Sequence, residues 1–152
     1  MTGERRSFED LRVGDRFETP ARTVGEAEIV AFARQYDPKP YHTDPASPEA
    51  RELGGLIASG LQTLALSFGL FFRLPALEGQ LLASPGFDQV RFPAPLRPGD
   101  TIRHVAEVTR LEPSRSRADR GRAWIRHETL NQRGEVILTL TCVHVVRRRD
   151  PA

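Results

Sequence analysis

Residues 59–73 predict a single helix with apolar side chains on every face, because leucine, phenylalanine and alanine recur around its whole circumference. Such a helix needs neighbouring elements on all sides. From residue 86 the pattern changes to an alternation of apolar and polar residues, which is typical of strands, in the segments 87–93, 101–111, 122–131 and 136–147. The most economical packing is an antiparallel β-sheet wrapped around a long central helix, which is an α+β architecture.

A chain of 152 residues is long enough for one well-buried core and short for two domains. Neither an internal repeat nor a low-complexity linker divides it, so we predict a single domain over residues 1–152. The predicted sheet has exposed edges, which a second copy of the chain would cover by pairing. We therefore expect a homodimer, or a higher oligomer built from dimers.

The N-terminal half predicts three smaller elements. Residues 8–20 alternate loosely, as in a short entry strand. An amphipathic helix follows over 26–36, with Thr23 and Glu26 as a capping box. The third element is a short helix that begins at Pro48. One face of the amphipathic helix is predicted to carry Ile29, Ala33 and Tyr36.

The composition is ordinary for a soluble globular protein, and we expect a cytoplasmic one. Residues 1–16 are polar and contain no signal-peptide run, and the longest apolar stretch, 64–77, is interrupted by polar residues, glycine and proline. We therefore predict no membrane span and no targeting segment. The single cysteine, Cys142, has no partner for an internal disulfide and shares its strand face with leucines, so we expect a buried thiol in a reducing cytoplasm.

Basic charge is concentrated in one segment. The net charge is only +2, but residues 110–126 hold six arginines against Glu112 and Asp119. They include the sequence Ser-Arg-Ser-Arg at 114–117, which predicts a hairpin tip. Solvated charge and phosphate binding both explain this segment. Nucleic acid is not the expected partner, because the tip carries no aromatic residue to stack on bases.

Segment 36–45 carries an acid and an imidazole among prolines at positions 38, 40 and 45. These prolines exclude a regular helix and predict a stiff, irregular loop. If Asp37 and His42 converge on one water molecule, the neutral imidazole accepts a proton from it. The carboxyl group, its pKa raised by burial, then relays a proton to the substrate. Such a pair suits the addition of water to a polarised double bond, or the reverse reaction.

Two other interpretations of this segment stay open. In the first, Asp37 caps the preceding turn and His42 makes a structural hydrogen bond. In the second, Asp37, His42 and Asp44 bind a divalent metal ion. No second histidine or cysteine lies nearby in the sequence to complete such a site, so we expect no metal.

Gly60 falls in the first turn of the apolar helix, where backbone N–H groups lack partners and the helix dipole is positive. Without a Cβ it lets a ligand oxygen approach the main chain, as an oxyanion hole requires. Close helix packing explains this glycine equally well. The remaining histidines, His104, His127 and His144, lie within predicted strands, and we expect them to be hydrogen-bonded core or interface residues.

Together these motifs resemble those of the MaoC-like dehydratases, the hot-dog-fold family that includes the (R)-specific enoyl-CoA hydratases. The likeness begins at residues 32–33, continues through 36–44 and 54–60 and reaches 131–135, so that it covers nearly the whole chain. Its most specific part is the Asp-x4-His signature joined to the glycine-rich entry of the apolar helix.

The resemblance implies that the protein adds water to the α,β double bond of an acyl-CoA thioester, or removes it, in fatty acid metabolism. It also implies an edge-to-edge dimer with an acyl tunnel near the subunit interface. No separate cofactor is implied, since coenzyme A is part of the substrate. The resemblance assigns catalysis to Asp37, His42 and Gly60, and substrate binding to Tyr41, Ser59, Arg115 and Arg117.

The sequence departs from this family at two positions near the acyl site. Ser59 stands where many members have a histidine, and Phe68 stands where some have a serine. Two rival functions use the same fold: acyl-CoA thioester hydrolysis, and binding of acyl-CoA without catalysis. The absence of Asp and Glu over 60–73 argues against a thioesterase that has its carboxylate on the central helix. The intact catalytic residues argue against a silent module.

Overall fold

The computed structural model describes residues 4–149. Within that range the helices are α1 (Glu26–Tyr36), α2 (Pro40–Thr43), α3 (Pro48–Glu52) and α4 (Gly60–Phe71). The strands are β1 (Arg16–Glu18), β2 (Arg22–Thr23), β3 (Leu81–Ala83), β4 (Phe87–Arg91), β5 (Thr101–Pro113), β6 (Arg120–Leu130) and β7 (Val136–Arg147). Short 3-10 turns occur at Phe8–Asp10 and Pro75–Leu77.

The described strands form one antiparallel sheet. Its order is β1-β5-β6-β7-β3, with β2 also paired to β5 and β4 also paired to β7. The long strands β5, β6 and β7 are successive hairpin neighbours and supply most of the surface against which α4 packs. The predicted α+β architecture, a curled antiparallel sheet with one long helix against it, is confirmed.

The core lies between α4 and the three long strands. Phe68 and Phe71 of α4 pack on apolar residues of β5, β6 and β7. A second cluster, centred on Ile29 and Ile102, joins α1 to the start of β5 and to the segment that precedes α4. The second cluster and the hydrogen bond from the Gln62 amide to the carbonyl of Glu28 hold α1 against α4, and the candidate site lies between these two helices.

The central helix is not enclosed on every side, contrary to the prediction. Leu61 and Phe72 of α4 are 55% and 50% exposed, although the opposite face of the helix is buried. Phe87 and Phe92, in and beside β4, are 45% and 47% exposed. A single sheet covers only one side of a helix, so a protomer of this size leaves apolar surface uncovered.

Several local predictions were wrong for physical reasons. The entry strand shrinks to β1, because residues 8–10 form a 3-10 turn closed by Ser7 and Asp10. The capping box at the start of α1 does not form, since Thr23 Oγ1 pairs with the hydroxyl of Thr101 at 2.7 Å. Tyr36 is 59% exposed because it lies at the last turn of α1, beyond the buried part of that face.

Segment 36–45 is more regular than the prediction allowed. Pro40 occupies the first position of the one-turn helix α2, where its missing N–H and fixed φ do no harm. Two further elements, the short strands β2 and β3, were not predicted. The short helix at Pro48 was predicted correctly, and the Ser47 hydroxyl caps it by accepting the N–H of Ala50.

Three histidines form a hydrogen-bonded row inside the core. His104, His127 and His144 come from β5, β6 and β7, and all three are fully buried. His104 Nε2 lies 2.8 Å from His127 Nδ1, and His127 Nε2 lies 3.1 Å from His144 Nε2. The expectation that these histidines are hydrogen-bonded core residues is therefore confirmed.

Each end of this histidine row is held by a hydroxyl group. Thr129 Oγ1 lies 2.8 Å from His104 Nδ1, and Ser84 Oγ lies 2.9 Å from His144 Nδ1. Burial beside Phe68 and Phe71 disfavours the imidazolium form. Burial is accordingly the main cause that lowers the pKa of His104 to about 4, of His127 to about 2 and of His144 to about 4.

Cys142 is buried on β7, as predicted, and burial raises the pKa of its thiol. This shift makes it a packing residue rather than a nucleophile. No helix within residues 4–149 is long and apolar enough to cross a membrane.

Candidate active site

The two ends of the candidate site are built by α1 and α2. Asp37 is the residue after the last turn of α1, and its N–H still donates to the carbonyl of Ala33 at 2.9 Å. The chain then turns into α2, which carries His42 on its buried side. His42 Nδ1 lies 2.7 Å from the carbonyl oxygen of Ile57, in the segment that leads into α4. Both side chains are thus fixed by backbone geometry.

Asp37 and His42 converge, as the hypothesis of a shared water requires. His42 Nε2 lies 3.4 Å from Asp37 Oδ2. Because the carbonyl of Ile57 can only accept, the Nδ1 atom of a neutral His42 carries the hydrogen and its Nε2 presents a lone pair. Two hydrogen-bond acceptors therefore face each other across a gap that one donor molecule, such as water, can satisfy.

The carboxylate of Asp37 has a partner on each oxygen. The Ser59 hydroxyl donates to Oδ2 at 2.7 Å, and the ammonium of Lys39 lies 2.9 Å from Oδ1. The hydrogen bond from Lys39, followed by the one from Ser59, lowers the pKa of Asp37 and outweighs the effect of burial. The prediction that burial raises this pKa was therefore wrong, and Asp37 is held as a carboxylate.

Ser59, which the resemblance assigns to substrate binding, does not lie on the cavity surface. It is fully buried and is the cap of α4, where its hydroxyl oxygen accepts the N–H of Leu61 at 3.2 Å. The same hydroxyl donates its hydrogen to Asp37. A side chain with no exposed surface positions Asp37 and α4 and offers no surface to a ligand in this structure.

Gly60 is the first residue of α4. The N–H groups of Leu61, Gln62 and Thr63 all donate to the side chain or the carbonyl of Ser59. The N–H of Gly60 donates no hydrogen bond within residues 4–149. A Cβ at this position would lie 2.8 Å from two ring atoms of Phe92, so the absence of a side chain permits a close aromatic contact as well.

A cavity of 390 Å³ joins His42 to Gly60. Its walls are mainly apolar, with the imidazole of His42 and the phenol of Tyr41 at one side. Asp37 does not line it directly but contacts His42, which does. The lining residues are Tyr41, His42, Leu53, Ile57, Ala58, Gly60, Thr63, Phe92, Pro93, Ala94, Pro95, Leu96 and Arg97.

The residues predicted to bind substrate lie in two separate parts of the protomer. Tyr41 lines the cavity, and its ring centroid lies 4.3 Å from that of His42. Arg115 and Arg117 lie instead in the β5–β6 hairpin tip, next to the far end of the 13-residue strand β5. That strand spans about 40 Å, and its near end lies beside the cavity. One protomer therefore does not bring these arginines to Asp37 and His42.

Sequence reasoning missed Lys39 as part of the site. It is the single lysine among the 22 basic residues of the chain, and it lies between the two prolines that separate Asp37 from His42. That rarity was the signal available in the sequence. No group of three or more metal-ligating side chains with suitable geometry occurs in the part of the chain that the structure describes.

Comparison with known proteins places this geometry in a family. A family model described as the MaoC like domain matches residues 9–127, so the chain belongs to the MaoC-like domain family. The members of this family are hydratases and dehydratases that act on acyl thioesters. The fold is the hot-dog fold.

Three similar proteins illustrate the relationship. A MaoC-like dehydratase from Rhodospirillum rubrum has a TM-score of 0.88 at 39% identity, over 96% of this chain and 99% of that one. An (R)-hydratase from A. caviae has a TM-score of 0.70 at 27% identity, over 93% and 99% of the two chains. Mesaconyl-CoA hydratase of Cereibacter sphaeroides is 32% identical over 99% of this chain. The match spans only 44% of that longer protein.

Proposed function

We propose that this protein is a hydro-lyase that adds water to the α,β double bond of an acyl-CoA thioester, or removes it. The single observation that carries the proposal is the facing pair of His42 Nε2 and Asp37 Oδ2, 3.4 Å apart. This pair lies beside an unpartnered N–H at the start of α4. The names of the similar proteins, a hydratase of mesaconyl-CoA and an (R)-hydratase, support the same reaction class.

The pair activates water by accepting both of its hydrogens. A water molecule that donates to His42 Nε2 and Asp37 Oδ2 presents its oxygen lone pairs to the cavity. As that oxygen forms a bond to the substrate Cβ, a proton passes from the water to the pair. A proton then passes from the pair to Cα, so the enzyme ends in its initial protonation state.

The division of labour follows from the state of Asp37. Because Lys39 and Ser59 hold it as a carboxylate, it begins the reaction as a proton acceptor or as the anion that stabilises an imidazolium at His42. It does not begin as a neutral acid. The proton delivered to Cα is therefore the one that the pair has just taken from water, and the two residues act as one unit.

The N–H of Gly60 is suited to the thioester oxygen. Attack at Cβ moves negative charge onto the thioester carbonyl, which becomes an enolate oxygen. A main-chain N–H in the first turn of α4 stabilises that charge by a hydrogen bond and through the positive end of the helix dipole. A substrate bound this way lies with its double bond between Gly60 and the Asp37–His42 pair.

We further propose that the working unit is a dimer. The apolar side chains of Leu61 and Phe72 on α4 and of Phe87 on β4 are exposed, and β4 is an edge strand that pairs only with β7 among the described strands. A second copy that pairs there would bury this surface. Since Arg115 and Arg117 lie too far from the site of their own chain, they bind substrate only if a partner subunit brings them to it.

Hydration is tested by following trans-2-enoyl-CoA substrates, beginning with crotonyl-CoA, by enone absorbance and by mass. We expect loss of the double bond with a gain of one water. Release of free thiol would instead indicate a thioesterase, and binding without turnover would indicate a silent module. On α4 there is neither Asp nor Glu, which argues against thioester hydrolysis.

The site assignment is tested with D37N and H42A. Each is expected to lower kcat by on the order of 10² or more, because D37N replaces the proton-accepting carboxylate by an amide and H42A removes the imidazole. The matched control is D44N, which changes an exposed acid of the same segment that does not contact His42. Wild-type rates in folded D37N and H42A proteins would remove these residues from the mechanism.

A further inference from the structure

Among residues 4–149, Arg97 is the only fully charged side chain on the wall of the site cavity. The other lining residues contribute apolar groups, two hydroxyl groups and the imidazole of His42. No Asp or Glu lines the cavity. An arginine is always ionised, so the cavity carries one permanent positive charge.

The guanidinium of Arg97 has no counter-ion within residues 4–149. Its Nη2 donates to the carbonyl of Leu53 at 2.6 Å and its Nη1 to the carbonyl of Gly55 at 3.5 Å, and both acceptors are neutral. No carboxylate lies within ion-pair distance, although most other arginines of the described chain have one nearby, for example Arg103 with Glu18 and Arg126 with Glu107. The remaining N–H donors of Arg97 are left for a ligand.

The nearest acid in sequence is committed elsewhere. Asp100 uses Oδ2 to accept the main-chain N–H of Arg97 at 2.9 Å, and it uses Oδ1 to accept from the Gln132 amide at 2.8 Å. Its carboxylate therefore shapes the turn that carries Arg97 and does not neutralise the guanidinium.

The guanidinium is also held in place before any ligand arrives. It lies against the main chain of Gly54 and Gly55, whose φ values of +77° and +128° suit glycine, and a Cβ at either residue would lie 3.6 to 3.7 Å from its nitrogens. A planar guanidinium fixed in this way loses little conformational entropy when it binds a carboxylate or a phosphate with two hydrogen bonds.

We infer that Arg97 is a binding residue for an anionic group of the substrate. This inference rests on the proposed function, because it takes the cavity to be the substrate site. Two parts of an acyl-CoA ligand have the required chemistry: a carboxylate on the acyl group, and the phosphates of coenzyme A. Either anion would supply the counter-ion that the described chain does not provide.

The test separates the two sources with four ligands. Crotonyl and fumaryl groups differ in having a methyl group or a carboxylate at the same position, and each is prepared as its CoA thioester and as its N-acetylcysteamine thioester, which has no phosphate. The enzyme variants are R97M, which removes the charge, and R97K, which keeps the charge but lacks the planar guanidinium that forms two parallel hydrogen bonds. The matched control is R16M, which changes an exposed arginine of β1 outside the cavity that also lacks an ion pair within residues 4–149.

We expect R97M to lower kcat/KM by 10-fold to 100-fold for every ligand that carries the recognised anion, chiefly through KM, and to spare the others. R97K should recover part of the loss, and R16M should behave as the wild type. A loss confined to the two fumaryl ligands identifies an acyl carboxylate. A loss confined to the two CoA ligands identifies the coenzyme phosphates.

An equal loss for all four ligands, or no loss, would overturn the inference, since Arg97 would then only hold the glycine turn. Binding of the saturated analogues butyryl-CoA and succinyl-CoA by calorimetry separates this outcome from a failure of the proposed function. Suppose the wild-type protein binds these analogues, R97M binds the recognised analogue more weakly, and no enoyl ligand is hydrated. The anion site is then supported and the proposed reaction is rejected. If the wild-type protein binds none of the ligands, both fail.

Discussion

The hydroxyl of Ser59 donates a hydrogen bond to Oδ2 of Asp37 at 2.7 Å, so the residue that caps the central helix also fixes the candidate catalytic carboxylate. One buried side chain thereby couples the position of α4, with its Gly60 amide, to the position of the acid. The site is a single mechanical unit built from the end of α1, the turn α2 and the start of α4.

S59A should therefore lower both stability and activity. Loss of the cap is expected to reduce the free energy of unfolding by about 1 kcal/mol, and loss of the bond to Asp37 to lower kcat by about 10-fold. The matched control is S47A, which removes the buried cap of α3 without touching Asp37. Urea unfolding and steady-state kinetics should show similar destabilisation in both variants but reduced kcat in S59A alone. Equal activity in the two variants would contradict the coupling.

K39M should move the acidic limb of the pH–rate profile to higher pH. The ammonium of Lys39 is the largest cause of the lowered pKa of Asp37, so its removal lets this pKa rise toward the ordinary value. Without that positive charge the Asp37–His42 pair as a whole takes up a proton at a higher pH, so activity is lost earlier as the solution is acidified. The measurement is kcat/KM against pH for the wild type, K39M and K39R.

K39R is the conservative control, because it keeps the positive charge and should restore the wild-type profile. Lys39 also offers a direct signal: as the only lysine of the chain, it gives one methylated ε-amine resonance after reductive methylation. That resonance should titrate at a lower pH in D37N, since the pKa of Lys39 is raised chiefly by Asp37. Unchanged profiles and resonances would mean that the ion pair does not control the carboxylate.

G60A should fold but lose activity. The added methyl group would lie 2.8 Å from the ring of Phe92, which is 47% exposed and has room to swing away. We expect kcat/KM to fall by about 100-fold, because the methyl group obstructs the approach of the thioester oxygen to the Gly60 amide. The double variant G60A/F92A should stay equally impaired. Recovery of activity in the double variant would show that Gly60 serves only the packing of Phe92.

Acid should destabilise this protein through its histidine row. In the unfolded chain these imidazoles take up protons below about pH 6.5, whereas in the folded state they stay neutral to about pH 4 or lower. The unfolded state then binds more protons, so the free energy of unfolding falls as the pH drops from about 6.5 to 4. Each histidine contributes about 1.4 kcal/mol per pH unit in that window.

The variant H144Q tests this origin, because a neutral amide replaces one imidazole at the end of the row. Urea unfolding between pH 6.5 and 4.5 should show a pH slope about 1.4 kcal/mol per unit smaller than that of the wild type. D44N, which alters an exposed acid, controls for the general effect of charge. An identical slope in H144Q and the wild type would place the acid sensitivity elsewhere.

The parts of the fold with strong periodicity were predictable from the sequence. α1 has the predicted bounds, and β7 coincides with the predicted segment, because long runs of alternating or helical pattern determine which face is buried. The failures lie where a long-range contact overrides a local preference. Thr23 pairs with Thr101 across the sheet and so does not cap α1.

The residues of the candidate site were partly predictable from the sequence. The sequence indicated Asp37, His42 and Gly60 as chemistry-bearing residues, and the structure brings the first two within 3.4 Å. The ionisation state of Asp37 was not predictable, because it depends first on the placement of the Lys39 ammonium against the carboxylate and then on Ser59, which is 22 residues away in the chain. Arg97 was not predicted as a site residue, since nothing in its sequence neighbourhood shows that it lines a cavity with His42.

The buried histidine row has only one possible order of its hydrogens. The Ser67 hydroxyl donates to the carbonyl of Thr63, which has no hydrogen to return. Every later group must then donate toward Ser67, in the order Thr129, His104, His127, His144 and Ser84. The hydrogens therefore sit on Nδ1 of His104 and of His127 and on Nε2 of His144. All hydrogen bonds of this buried row therefore point in the same direction, toward Ser67 of the central helix, and they link that helix to the three strands β5, β6 and β7.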